Sequence, residues 1–173
     1  MRTQVTSDTA FAYNARMALT ASSGLFFEEF VIGDKATSPS RTITETDIVM
    51  FSGLSGDYNE IHTSEAFSKS QYYGRRIAHG LLGLSIASGL AFQMGFMLGT
   101  VELFRGLEWE FTAPIFIGDT IKLEAEVTET KAFPRLKNGR VSFKITLTKH
   151  TGEIVQRGTW NILVKSKPTA KPS

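Results

Sequence analysis

From Leu107 onward, apolar and polar residues alternate with period two, the spacing that turns one face of a strand to a core. Leu107, Trp109 and Phe111 alternate with Glu108 and Glu110, and Ile121, Leu123, Ala125 and Val127 alternate with Lys122, Glu124 and Glu126. Val141, Phe143, Ile145 and Leu147 repeat the pattern, as do Trp160, Ile162 and Val164. Gly118-Asp119, Asn138-Gly139 and Thr151-Gly152-Glu153 stand between these runs as turns. The pattern predicts an antiparallel set of strands. Upstream, Lys35 to Ile43 reads as a short strand. Thr44 with Asp47 forms a capping box that opens a helix through Leu54, with Ile48, Val49 and Phe51 as its apolar positions. The Ser55-Gly56-Asp57 turn ends that helix, and Ser64 to Ser70 fits one or two helical turns with Ala66 and Phe67 facing inward. Gly80 to Leu98 is apolar on every side and predicts a long central helix. Its Gly83, Ser85, Ala87, Ser88, Gly89 and Ala91 weaken the helix but let another backbone come close, which makes sense only for an enclosed segment. The elements together predict an α+β domain in which one curved antiparallel sheet wraps around the central helix.

The length of 173 residues suits one domain with a sizeable core. We expect a loosely attached leader over 1–24, a compact domain over 25–164 and a flexible Lys/Pro tail over 165–173. The leader has neither the apolar run nor the cleavage-like site of a secretory signal. The net charge of +2 resides in the ends: Arg2 and Arg16 against Asp8 in the leader, and Lys165, Lys167 and Lys171 in the tail, leave 25–164 at −2. The folded body therefore has no electrostatic reason to hold nucleic acid. The 25 residues from Ile77 to Val101 lack Asp, Glu, Lys and Arg, but His79, Gln93 and five glycines argue for burial inside the domain and against a membrane span. With no cysteine, thiol nucleophiles, disulfides and Cys-based zinc sites are excluded, and a reducing cytoplasm fits.

The candidate chemistry lies just before the central helix. Asp57 and His62 stand five residues apart in a Gly/Asn turn, and Ala78-His79-Gly80 opens the uncharged segment. A carboxylate, an imidazole and a backbone amide at a helix start are what adding or removing water across an activated double bond requires. The first two position water and carry its proton, and the amide holds the charge that develops on the substrate oxygen. Each residue also has a plainer reading: Asp57 as a turn former, His62 as a packed histidine, Gly80 as a flexible helix start. On the residues alone both readings of the pair stay open, and its coupled titration prevents a finer division of roles.

Gly56, Asp57, Asn59 and His62, then Ile77, His79 and Gly80, then Phe111, Pro114, Gly118 and Asp119 follow in order the three motifs of the MaoC-like, R-specific enoyl-CoA hydratase family. The chain resembles that family over roughly 28–164. The resemblance implies a hot-dog fold, a (2E)-enoyl-CoA substrate hydrated syn to an (R)-3-hydroxyacyl-CoA, a homodimer or dimer of dimers, and no metal or separate cofactor. It implies Asp57 and His62 as the catalytic pair and Gly80 as the oxyanion donor. Asn59, His79 and Ser88 are the candidate substrate-binding residues. Loop stabilisation is the favoured role of Asn59, and a hydrogen bond across the start of the helix that of His79. Ser88 reads equally as a small residue for close packing. Arg75 and Arg76 are candidates for the CoA phosphates, against a solvated loop pair. Phe92, Met94, Phe96 and Met97 are the expected lining of an acyl tunnel. One position departs: Glu60 stands where the family usually has proline. Two other readings remain open. A hot-dog acyl-CoA thioesterase would want a carboxylate on the central helix, which has none from Gly80 to Leu98. A non-catalytic acyl-thioester binding module is motivated by Glu60.

Overall fold

The computed structural model describes residues 24–168. Apart from Gly24, the expected leader lies outside the described residues, as does the tail beyond 168. Six strands form one antiparallel sheet: β1 (Lys35–Thr37), β2 (Arg41–Thr42), β3 (Val101–Phe111), β4 (Thr120–Phe133), β5 (Asn138–Lys149) and β6 (Ile154–Lys165). The order across the sheet is β1-β4-β5-β6-β3, with β2 also paired to β4. Helices α1 (Glu45–Ser55), α2 (Glu60–Thr63), α3 (Glu65–Lys69) and α4 (Gly80–Gln93) lie between β2 and β3 in the chain.

Three of the alternating runs build the core as their pattern requires; in the run on β3, Leu107 and Phe111 stay exposed and Trp109 is half-buried. Ile121, Leu123, Ala125 and Val127 of β4 are wholly buried, and so are Val141 and Leu147 of β5 and Val164 of β6. Across them pack Leu82, Ile86, Ala87, Leu90 and Ala91 of α4. At the far end, the rings of Phe96 and Phe143 stack 5.5 Å apart, and Phe30 meets both edge-on. Among the described residues no helix is long and apolar enough to cross a membrane.

Several boundaries differ from the expected ones, each for a local reason. The strand over 35–43 is broken at Ser38-Pro39-Ser40, because Pro39 has no N–H to give the ladder. Ser38 bridges the break: its N–H donates to the Leu123 carbonyl (2.8 Å) and its Oγ accepts from the Leu123 N–H (2.9 Å). The central helix stops at Gln93, not Leu98, because Gly95 and Gly99 take φ of 85° and 72°. The residues that follow fold Met94 and Phe96 into the core. β3 begins at Val101, six residues before its clean alternation. Asn138-Gly139 lies inside β5, and the turn falls on Pro134–Leu136 with Lys137 at φ 54°. Val49 and Ala66 face outward while Ser52 and Ser68 are buried. The start of the tail is anchored: the Lys165 ammonium donates to the Gly99 carbonyl (3.0 Å), and Lys167 pairs with Glu29 (3.0 Å).

Candidate active site

The site begins where α1 ends. Thr44 and Asp47 form the capping box that starts α1, and Gly56, at φ 77°, closes it by donating to the Ser52 carbonyl (2.8 Å). A left-handed residue here turns the chain out of the helix into the loop that carries Asp57. The Asp57 carboxylate accepts from the Asn59 N–H (3.2 Å), and the Asn59 side chain accepts from the Ile61 N–H (3.2 Å), capping α2. Asn59 thus spends its side-chain oxygen on the loop, and one short helical turn carries His62 inward.

His62 is buried, and its ring has a defined tautomer. Nδ1 lies 2.8 Å from the Ile77 carbonyl oxygen, which only accepts, so Nδ1 carries the proton and Nε2 is bare. Nε2 faces the Asp57 carboxylate at 4.0 Å. That gap is too long for a direct hydrogen bond and suits a bridging water. Burial holds the imidazole below its ordinary value of 6.5; the Ile77 carbonyl opposes this, His79 adds to it and the Asp57 charge opposes it. His62 is therefore neutral at physiological pH, with a lone pair available to take a proton.

His79 is more deeply buried, 2% exposed. Its Nε2 donates to the Asp57 carbonyl oxygen (2.9 Å), fixing the loop to the start of α4, and its ring stacks on His62 with centroids 3.7 Å apart. Gly80 follows as the first residue of α4, and His79 gives this end no side-chain cap. The first-turn amides of a helix point outward at its positive end. Here they open on a cavity of about 610 Å³ lined by Ile61, His62, Tyr72, Tyr73, Gly80, Leu81, Phe111 and the Thr112–Ile115 segment, among others. A Cβ on Gly80 would stand 2.8 Å from the Phe111 ring, which would have to swing aside to admit it.

The structure brings Asp57, His62, His79 and Gly80 together and leaves Ser88 out. Ser88 is exposed on α4, its hydroxyl turned back to the Ser85 carbonyl (2.8 Å). Neither arginine is a free loop cation. Arg76 is clamped between Glu45 (2.9 Å) and Glu65 (3.0 Å), whose hydrogen bonds hold it above its ordinary value. The Arg75 guanidinium lies over the Phe116 ring, 3.8 Å from its centre. The expected tunnel lining is also displaced: Met94 and Phe96 are core and Phe92 is exposed, so the cavity opens at the other end of α4.

The MaoC-like domain family matches residues 29–149. The chain belongs to this family. It is 34% identical to an (R)-specific enoyl-CoA hydratase of Rhodospirillum rubrum over 143 residues, covering 82% of this chain and 93% of that one. A 3-hydroxybutyryl-CoA dehydratase of Methylorubrum extorquens is 30% identical over 149 residues, with 86% and 89% covered. Among solved structures, a monoamine oxidase regulatory protein of Archaeoglobus fulgidus matches with TM-score 0.79 and 37% identity, over 84% of this chain and 97% of that one. The sheet wrapped on α4 is the hot-dog fold of these MaoC-like proteins.

Within the MaoC-like motif, Glu60 occupies the first position of α2 and is exposed. Proline is favoured at a first helical position, and a carboxylate is favoured there too by the helix dipole. The exchange therefore keeps α2 in place, with Asn59 still capping it. The third motif also has a local cause. The Asp119 carboxylate accepts from the Phe116 N–H (2.9 Å) and pairs with the buried Lys149 ammonium (2.9 Å), shaping the loop whose Ile115 carbonyl accepts from the Ala78 N–H (2.8 Å). Tyr72, Tyr73, Leu81 and Gln156 line the cavity without having been singled out in the sequence. Only Gln156 left a readable signal, a polar residue on the inward face of an alternating strand.

Asp57, His62 and His79 offer one ligand atom each within 4.8 Å of one another, a set that could hold a metal. The geometry fits poorly. His62 Nδ1 and His79 Nε2 are already bonded to carbonyl oxygens, and the imidazoles stack with planes 27° apart. Stacked rings send their in-plane lone pairs side by side instead of converging on one point.

Proposed function

We propose that this protein catalyses the reversible hydration of a (2E)-enoyl-CoA to an (R)-3-hydroxyacyl-CoA, with no metal or separate cofactor. The observation that carries the reading is the bare Nε2 of His62 facing the Asp57 carboxylate across 4.0 Å, beside the cavity where α4 begins. A water held between the two groups adds through its oxygen to the β carbon of the enoyl thioester, and the pair takes its proton. The π electrons of the double bond move toward the thioester oxygen, where the Gly80 N–H at the positive end of α4 stabilises the charge. The proton returns from the pair to the α carbon, so water adds across the double bond and no other species is consumed. Water and proton both reach the double bond from the face on which the pair lies, which accounts for syn addition.

His79 acts through position, tying the Asp57 carbonyl to the start of α4. The names of the hydratase and dehydratase relatives, both CoA-thioester enzymes, support the substrate class. We further propose that the working form pairs two copies along β3. Among the described residues this edge strand of 11 residues has its outer side unpaired, and it leaves Leu103, Phe104, Leu107 and Phe111 exposed.

The test is incubation with crotonyl-CoA. The reading expects loss of the conjugated-thioester absorbance, formation of the R-3-hydroxy product and no free thiol. Thiol release without hydration would instead assign a thioesterase.

A further inference from the structure

β6 carries a polar side chain where its alternation places an apolar one. Stepping back by two from Trp160, Gly158 and Gln156 fall on the core-facing side, and Gln156 is 2% exposed. An amide in a core needs partners at both ends. Here Oε1 accepts from the Trp109 indole N–H (3.1 Å), and Nε2 donates to the Gly80 carbonyl oxygen (3.0 Å). Room for the amide is made by Gly83, where any Cβ would collide with Nε2. On the neighbouring strand, the register partner of Gln156 is Phe111, whose ring lies against the Cα of Gly80. Gly80 is thus located by a hydrogen bond from β6 and by a ring from β3.

Helix formation does not explain the amide. Carbonyls of the first helical turn are ordinary acceptors for the amide four residues on, so Gln156 rescues no orphaned group on α4. A leucine or methionine of similar volume would fill the space and leave only the Trp109 N–H to be satisfied.

We propose that Gln156 is a positioning residue for the reaction: it ties the first residue of α4 to the β3–β6 pair and so sets where the Gly80 N–H meets the thioester oxygen. The inference rests on the hydratase reading. Because Trp109 belongs to the edge strand β3, two successive hydrogen bonds connect that strand to the site.

Gln156→Met keeps length and volume but neither donates nor accepts in the same way. We expect crotonyl-CoA hydration to lose about ten- to a hundredfold in kcat, since misplacement by about 1 Å costs about 10²-fold, while KM and butyryl-CoA binding stay within about threefold. Gln156→Glu, which can accept from Trp109 but in its ionised form cannot donate to Gly80, shows the same split. Trp109→Phe, which keeps an aromatic ring against Trp160, shows a smaller loss of kcat and serves if the Gln156 variants fail to fold. A variant that loses thermal stability but keeps wild-type kcat per folded molecule overturns the inference, as does a rise in KM with kcat unchanged. If the Gln156 variants do not fold, an unchanged kcat in Trp109→Phe overturns it. A wild-type protein that hydrates no enoyl-CoA removes the hydratase reading and this inference together. Wild-type hydration beside an unimpaired Gln156→Met removes the inference alone.

Discussion

At the scale of single residues, the environment of His62 decides most. Burial lowers its pKa and the Asp57 charge pushes back, so Asp57→Asn should lower it further. Titration of the His62 ring protons by NMR is expected to give a midpoint below 6.5 in the wild type and lower still in Asp57→Asn; a midpoint at or above 6.5 in the wild type would contradict the assigned tautomer and burial. The same shift is linked to stability. The folded-state value is depressed, so the contribution is fully present above about 6.5 and is lost as pH falls from there through the folded-state value. Replacement by Gln should flatten the acid side of the stability curve, measured as urea midpoint against pH. The candidate pair was legible in the sequence because Asp57, Asn59 and His62 act over a short stretch whose turn chemistry is local. The stack of His79 on His62 was not, since residues 17 apart reveal no ring geometry. The surroundings of Ser88 were not legible for a related reason: its place along α4 does not reveal which side of that helix it faces.

At the scale of elements, the α4 start and the loop before β4 hold the site in shape. Gly80→Ala would set a methyl 2.8 Å from the Phe111 ring. The half-exposed ring can swing away, so we expect a folded protein with kcat lowered about 10²-fold, as a displacement of about 1 Å implies. Wild-type kcat in that variant would mean the close approach is incidental. Lys149 is buried between Asp119 and Glu153. Burial alone would lower its pKa, but the two carboxylates outweigh that and raise it. Lys149→Met strands the partly buried Asp119 and should cost about 3 kcal/mol, the low end for breaking a buried pair because Glu153 stays half in water. Urea unfolding measures it, and a loss near zero would show the cluster to be a solvated one. Strand existence was legible throughout, as the wholly buried Ile121 to Val127 face shows. Boundaries were not where tertiary packing intervenes: Gly95 and Gly99 end α4 early because Met94 and Phe96 find the core by leaving the helix. Nor did alternation reveal the first half of β3, where register shifts between Val101 and Leu103 and between Phe104 and Gly106 break the period of two.

At the scale of the molecule, the edge of β3, unpaired among the described residues, is the feature that invites a second copy. Four large apolar side chains along an open edge invite another strand. We expect light scattering to give a dimer, and Leu103→Lys with Leu107→Lys to shift it toward monomer by placing charge on the edge. A monomeric wild type at micromolar concentration would contradict the pairing. Charge was informative at this scale in one respect: the net positive charge resides in the ends, which leaves a body at −2 with no pull on nucleic acid, and the cavity lies in that body.

The most direct measurement compares crotonyl-CoA turnover by wild type, Asp57→Asn and His62→Ala, with butyryl-CoA binding as the control for folding. Both variants should bind the saturated thioester as the wild type does and lose about 10²- to 10⁴-fold in kcat, the range for a positioned acid–base group. Turnover at the wild-type rate in either variant would contradict the assignment of water activation to this pair.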